Sequence, residues 1–131
     1  MGYLRRNNKH LTGHKLATSA KRKELELQAQ FWLAYSFVAC RSRLNVRYLI
    51  GPERGARALG FHRHAAQYLS HVVFGLSTSF ICSQTRRHRS SVIDAFRLIE
   101  DERDDVAVDK ALIFAEVALS AMQHSVARDS R

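Results

Sequence analysis

Nothing in this chain is apolar for long enough to cross a bilayer. The most apolar short stretch, residues 72–82, covers 11 positions and includes Gly75, Ser77, Thr78 and Ser79, whereas a spanning helix needs about 20 apolar residues in succession. The basic N-terminal stretch with Arg5, Arg6, Lys9 and Lys15 runs into no apolar segment, which argues against a secretory signal. Cysteine is also scarce. Cys40 and Cys82 cannot build a disulfide framework, and neither lies in a Cys-x-x-Cys pair or beside a histidine at metal-ligand spacing. Both read as reduced, buried small hydrophobes of a cytosolic protein, and the expected location is the cytoplasm or the nucleoid.

Acidic residues are few where basic ones are dense. Residues 31–99 hold ten arginines and only Glu53 and Asp94, residues 1–30 hold seven Lys/Arg and two Glu, and residues 100–131 reverse the balance with eight acids and four Lys/Arg. The formal net charge is +9. A basic body with an acidic end points to a polyanionic partner, nucleic acid before membrane, with the acidic part turned away from it. At 131 residues, 46% of them hydrophobic, one domain with an ordinary core is the expectation.

Residues 1–18 show no periodicity and read as a flexible basic arm, residues 19–126 as the folded domain and 127–131 as a tail. Ser19 can cap a first helix whose face runs Leu25, Ala29, Trp32, then Ser36 in an apolar slot, then Phe37 and Cys40. Residues 45–50 fit a short turn of helix stopped by Gly51-Pro52, and residues 51–60 form a loop carrying Arg54 and Arg57. Ala65, Ala66, Tyr68, Leu69, Val72 and Val73 mark a helix ended by Gly75. Ser77 caps a short helix with Phe80 and Ile81, residues 85–89 turn, and Ser90 or Ser91 caps a helix bearing Val92, Ile93, Phe96 and Ile99. A last helix places Val108, Leu112, Ala115, Leu119 and Met122 on one stripe. No strand pattern competes, so the class is all-α.

Two short helices joined by a turn, the second opened by arginines, is the layout of a helix-turn-helix DNA reader. Arg86, Arg87, His88, Arg89, Ser90 and Ser91 would put guanidinium forks and hydroxyls at the start of the second helix. Arginine suits guanine O6/N7, serine suits base or phosphate oxygens, and free N–H groups at a helix start favour a phosphate.

Read in order, residues 61–102 resemble the C-terminal DNA-binding domain of the bacterial chromosomal replication initiator DnaA. That family writes Arg-Pro-Arg-Gln before a helix ending Ala-Met-Tyr-Leu-Ala, where this chain has Phe61-His62-Arg63-His64 and Ala66-Gln67-Tyr68-Leu69-Ser70. Leu76-Ser77, followed by Ile81 and Cys82, keeps the spacing of the family's Leu-Ser and Ile-Gly. Arg87-His88-Arg89-Ser90-Ser91-Val92, then Ala95 and Arg97-Leu98-Ile99, is similar to the family's Arg-Asp-His-Thr-Thr-Val with its later Ala and Arg-Lys-Ile. The resemblance covers about residues 31–125, weakly at both ends and specifically between Arg63 and Ile99.

What the resemblance implies is a six-helix, Trp-repressor-like fold that binds duplex DNA. Arg63 would enter the minor groove, His88, Arg89, Ser90 and Ser91 would face the major groove, and Arg54 and Arg57 would grip the backbone from a basic loop. His62 and His64 would be donors at a groove edge rather than a metal pair. His88 replaces the family's Asp and Arg89 its His, so a target other than the standard initiator box is expected. Thr85 and Arg86 stand where the family prefers Phe and Gly.

The initiator also needs a Walker A loop, and Gly51-Pro52-Glu53-Arg54-Gly55 lacks the Gly-Lys-Ser/Thr that holds phosphate and magnesium. No Ser/His/Asp set or carboxylate pair sits on a motif, so no catalytic residue, metal or cofactor is expected. The leading expectation is a stand-alone, sequence-specific DNA-binding protein acting in transcription or at replication-origin-like sites. The alternative is a helix-turn-helix body used as a protein-interaction or homodimer module, with Phe31 and Trp32 as its contact face.

Overall fold

Apolar positions recurring every three or four residues leave the chain one regular solution, and every element among the described residues is a helix. The computed structural model describes residues 11–50 and 57–129, with side chains over 18–50 and 59–125. In chain order the elements are α1 (Leu11–Ser42), α2 (Val46–Ile50), α3 (Arg57–Phe74), α4 (Thr78–Thr85), α5 (Arg89–Glu102) and α6 (Val106–Asp129). They form one all-α domain, in which α3 packs against each of the other five helices.

α1 begins at Leu11, so residues 11–18 of the expected arm are helical and Ser19 is a mid-helix residue rather than a cap. Residues 1–10 lie outside the described residues. Residues 18–26 are exposed, and core contact begins at Leu27. From there the buried face is Phe31, Ala34, Tyr35, Val38 and Ala39. This is not the anticipated stripe: Leu25, Ala29, Trp32, Ser36 and Cys40 are all exposed. The buried stripe places Phe31 and Tyr35 in the core, whereas the other would place Ser36 there and leave both rings in solvent. Phe31 and Tyr35 stack with centroids 4.4 Å apart, and Phe31 meets Phe80 edge-on at 6.3 Å. The expectation that both cysteines are buried is corrected likewise, since Cys40 is exposed and Cys82 only half-buried; both are free.

α3 starts at Arg57, earlier than its apolar spacing suggested, and Gly60 lies inside it rather than in a loop. Residues 65–70 are all buried. Ala65, Ala66 and Ser70 allow neighbouring helices close, and Ser70 Oγ donates to the Ala66 carbonyl at 2.8 Å. The helix ends as expected at Gly75, whose φ of +67° is the left-handed conformation a Cβ disfavours, and whose N–H reaches the His71 carbonyl at 2.9 Å.

Because α3 starts so early, Arg63 is a mid-helix residue facing α2. It is only 4% exposed. Its Nε and Nη2 donate to the Tyr48 carbonyl at 2.9 and 2.6 Å, satisfying an acceptor that a five-residue helix cannot satisfy itself. The minor-groove role expected for Arg63 is therefore corrected, because a guanidinium spent on the core is not presented to a groove.

The α5–α6 corner is fixed by Arg103. Its Nε donates to Asp109 at 2.6 Å and its Nη1 to the Tyr68 hydroxyl at 2.9 Å and to Glu116, while Tyr68 donates to Glu100 at 2.7 Å. Asp105 caps α6 by accepting from the Ala107 N–H at 2.8 Å. On α6, Leu112, Ala115 and Leu119 are buried as expected, but Met122 is exposed, and Val106, Ile113, Phe114 and Val117 make the helix apolar on its outer side too.

Arg63→Met keeps a buried stem but removes the donors, leaving the Tyr48 carbonyl without its partner. The unfolding free energy should fall by about 1–3 kcal/mol, read as a lower urea midpoint at unchanged slope. An unchanged midpoint would show that water serves that carbonyl equally well.

Candidate nucleic-acid interface

A serine before the first helical residue starts α4. Ser77 has extended backbone (φ −69°, ψ 152°), and its Oγ accepts from the Phe80 N–H at 3.1 Å. α4 runs for 8 residues, buries Ile81 and Thr85, and stops at Arg86, which takes φ 54° and ψ 38°. Its N–H, and that of Arg87 at 3.3 Å, turn back to the Cys82 carbonyl. This is the left-handed conformation that the resembled family's glycine would adopt without strain. A non-glycine residue there costs about 1–2 kcal/mol. Three residues later the chain is helical again.

His88 is the N-cap of α5 (φ −68°, ψ 150°) and makes no side-chain cap bond. Ser90 and Ser91, expected as caps, instead occupy the first turn, where both are exposed. Val92, Ala95 and Ile99 bury one face of α5, and His71 of α3 stacks on Phe96 with ring centroids 4.8 Å apart. The opposite side of the first turn is open: Arg86, His88, Arg89, Ser90 and Ser91 are all exposed. No acid lies in this turn. Arg97, two turns on and also exposed, shares the stripe of Ser90 and extends the basic edge, with Asp94 between them. Helical spacing from Ser90 was the signal for Arg97, which lies beyond the basic motif itself.

α5 carries its charges against its own dipole. Arg89 stands at the positive N-terminus, while Glu100, Asp101 and Glu102 stand at the negative C-terminus. Each such charge costs a few tenths of a kcal/mol to about 1 kcal/mol when exposed. An anion at the N-terminus would relieve that cost.

Behind the turn lies a polar cluster inside the core. Arg87 is half-buried, and its Nη2, the Tyr35 hydroxyl and Gln67 Oε1 are buried without hydrogen-bond partners. Burial pushes the Tyr35 phenol far above its usual range, against the opposing pull of Gln67, Arg87 and Arg63. Burial, then the charges of Arg87 and Arg63, hold the His64 imidazole below its ordinary value. Arg87 thus belongs partly to the interior.

Of the residues expected to bind DNA, Arg86, His88, Arg89, Ser90 and Ser91 come together on one surface. Arg87 sits at its edge and Arg63 is withdrawn from it. Arg54 lies outside the described residues, and Arg57 is the first residue of α3 with its side chain outside them. Of the pair expected as a contact face on α1, Trp32 is 45% exposed but Phe31 is in the core. Among the described residues no group of three or more His, Cys, Asp or Glu could hold a metal, and no helix is long and apolar enough to cross a membrane. No family model, curated protein or solved structure matches the chain.

Two stability effects test this geometry. Arg86→Gly relieves the left-handed strain but adds unfolded-chain entropy, so a net gain of about 0.5–1 kcal/mol is expected in chemical unfolding; a loss would place Arg86 in some other stabilising contact. The second concerns His64. Because its folded-state pKa is depressed, the unfolded chain binds the extra proton, so stability is full above about pH 7 and falls as pH drops through the unfolded value of about 6.5. His64→Gln should flatten that decline relative to wild type between about pH 7 and 5. Parallel curves for the two proteins would mean that other groups carry the pH dependence.

Proposed function

We propose that the protein binds duplex DNA sequence-specifically through α4 and α5, and acts as a transcriptional regulator or as a modulator at replication-origin-like sites. One observation carries this reading: the first turn of α5 is exposed, free of acids, lined by Arg86, Arg89, Ser90 and Ser91, and set at a helix end whose charges favour an anion. The helix-turn-helix order and the net charge of +9 support it, as does the resemblance to the initiator's DNA-binding domain. Association with the nucleoid is part of the same reading. His88 and Arg89, which depart from the initiator's pattern, would set a different preference at the base pairs beneath them.

Exposure of Trp32 on α1 favours a second reading, in which the helix-turn-helix body docks another regulator or a second copy. Salt separates the two, since phosphate contacts release counterions and a largely apolar contact does not.

Fluorescence anisotropy on a random duplex pool should show affinity falling by orders of magnitude between low and physiological salt. Arg89→Ala should cost about 1–3 kcal/mol on the selected site and relax one position. Folded Arg63→Met should bind as wild type does. A flat salt titration with no shift on any duplex would sink the DNA reading, and selection of the unmodified initiator box would remove His88 and Arg89 as specificity determinants.

A further inference from the structure

α1, α3 and α6 leave an open groove of about 380 Å³ where they meet. That volume falls in the range of small-ligand sites, about 300–1,000 Å³. Phe37 of α1, Phe61 of α3 and Leu112 of α6 form its walls, and Ala107 and Ala111 on α6 leave open the space that longer side chains would fill. Its polar side chains are Ser42 and His62, where the end of α1 faces α3, and Arg41, which turns toward α6. Ser42 Oγ lies 3.0 Å from His62 Nδ1. The Arg41 guanidinium rests 4.8 Å above the Phe114 ring.

Both ion pairs found among the described residues belong to Arg103, so Arg41 brings a charge to the groove that no carboxylate of the described chain takes up. Burial holds the His62 imidazole below its ordinary pKa, so at neutral pH it is an uncharged donor or acceptor. An open apolar groove with a guanidinium on its α6 side and a hydroxyl and a neutral imidazole on its α3 side is matched by a molecule with an apolar body and a single negative head. A carboxylate suits the guanidinium fork better than an alcohol does, and an ammonium group is repelled.

We propose that this groove binds a small amphipathic carboxylate, with its apolar body between α1, α3 and α6 and its carboxylate on Arg41. The site does not involve α4 or α5, so it stands independently of the DNA-binding reading.

The test is an amide-shift NMR titration of the full chain with sodium octanoate, 1-octanol and octylamine. Octanoate should give saturable shifts at the end of α1 and the start of α6, with a Kd below about 1 mM. Octanol should bind at least about tenfold more weakly, the equivalent of losing one charge-assisted hydrogen bond, and octylamine not measurably. Arg41→Gln, at an exposed position that leaves the fold intact, should cut octanoate affinity about tenfold and leave octanol unchanged. Ala111→Leu, at the exposed rim, should block octanoate and octanol alike. The proposal is overturned if octanoate gives no saturable shifts, if octylamine binds as tightly as octanoate, or if Ala111→Leu binds octanoate as wild type does.

Discussion

A helix segment buried on every side must find partners for its polar groups inside the protein, and residues 65–70 of α3 impose that condition here, met by all but Gln67, whose Oε1 is buried without a partner. Ser70 answers it within its own helix, Tyr68 across to Glu100 and Arg103, and Arg63, one turn earlier, across to the Tyr48 carbonyl. Each partner fixes a neighbouring element. α2 is held by the guanidinium, and the far end of α5 by the tyrosine hydroxyl. The His71 ring against Phe96 holds the middle of α5 in the same way. The side of α5 turned to solvent is set from behind by α3.

The placement of charge completes that arrangement. Arginines collect at the start of α5, while acids collect at its end and at the entry to α6, where Arg103 gathers Asp109 and Glu116. Helix stability alone would favour the reverse order. A left-handed arginine at position 86 is a second local cost at the same place. Two local costs to stability, the left-handed Arg86 and the cation Arg89 at a helix N-terminus, thus fall within four residues, at the surface proposed to bind DNA.

The succession α4, turn, α5 was legible because its signals are local: a capping serine at 77, a polar turn, then Val92 and Ile99 at helical spacing. The class and the end of α3 at Gly75 were legible for the same reason. The face of α1 was not, since two apolar stripes run along its second half and only packing partners such as Phe80 of α4 decide between them. Arg63 was misplaced by motif order. A guanidinium after a loop reads as a surface charge unless the helix is known to begin six residues before it, as α3 does. The outer apolar side of α6 escaped notice because the inner stripe alone accounted for the spacing.

The same choice of face on α1 determines what light can report about the molecule. The chain has one tryptophan, and it sits on the outer side of that helix, 45% exposed and edge-on to Phe31 at 6.2 Å. Its surroundings already include water in the folded state, and a molecule settling on α1 would dry them. Trp32 is therefore a natural sensor for whatever lands on that surface.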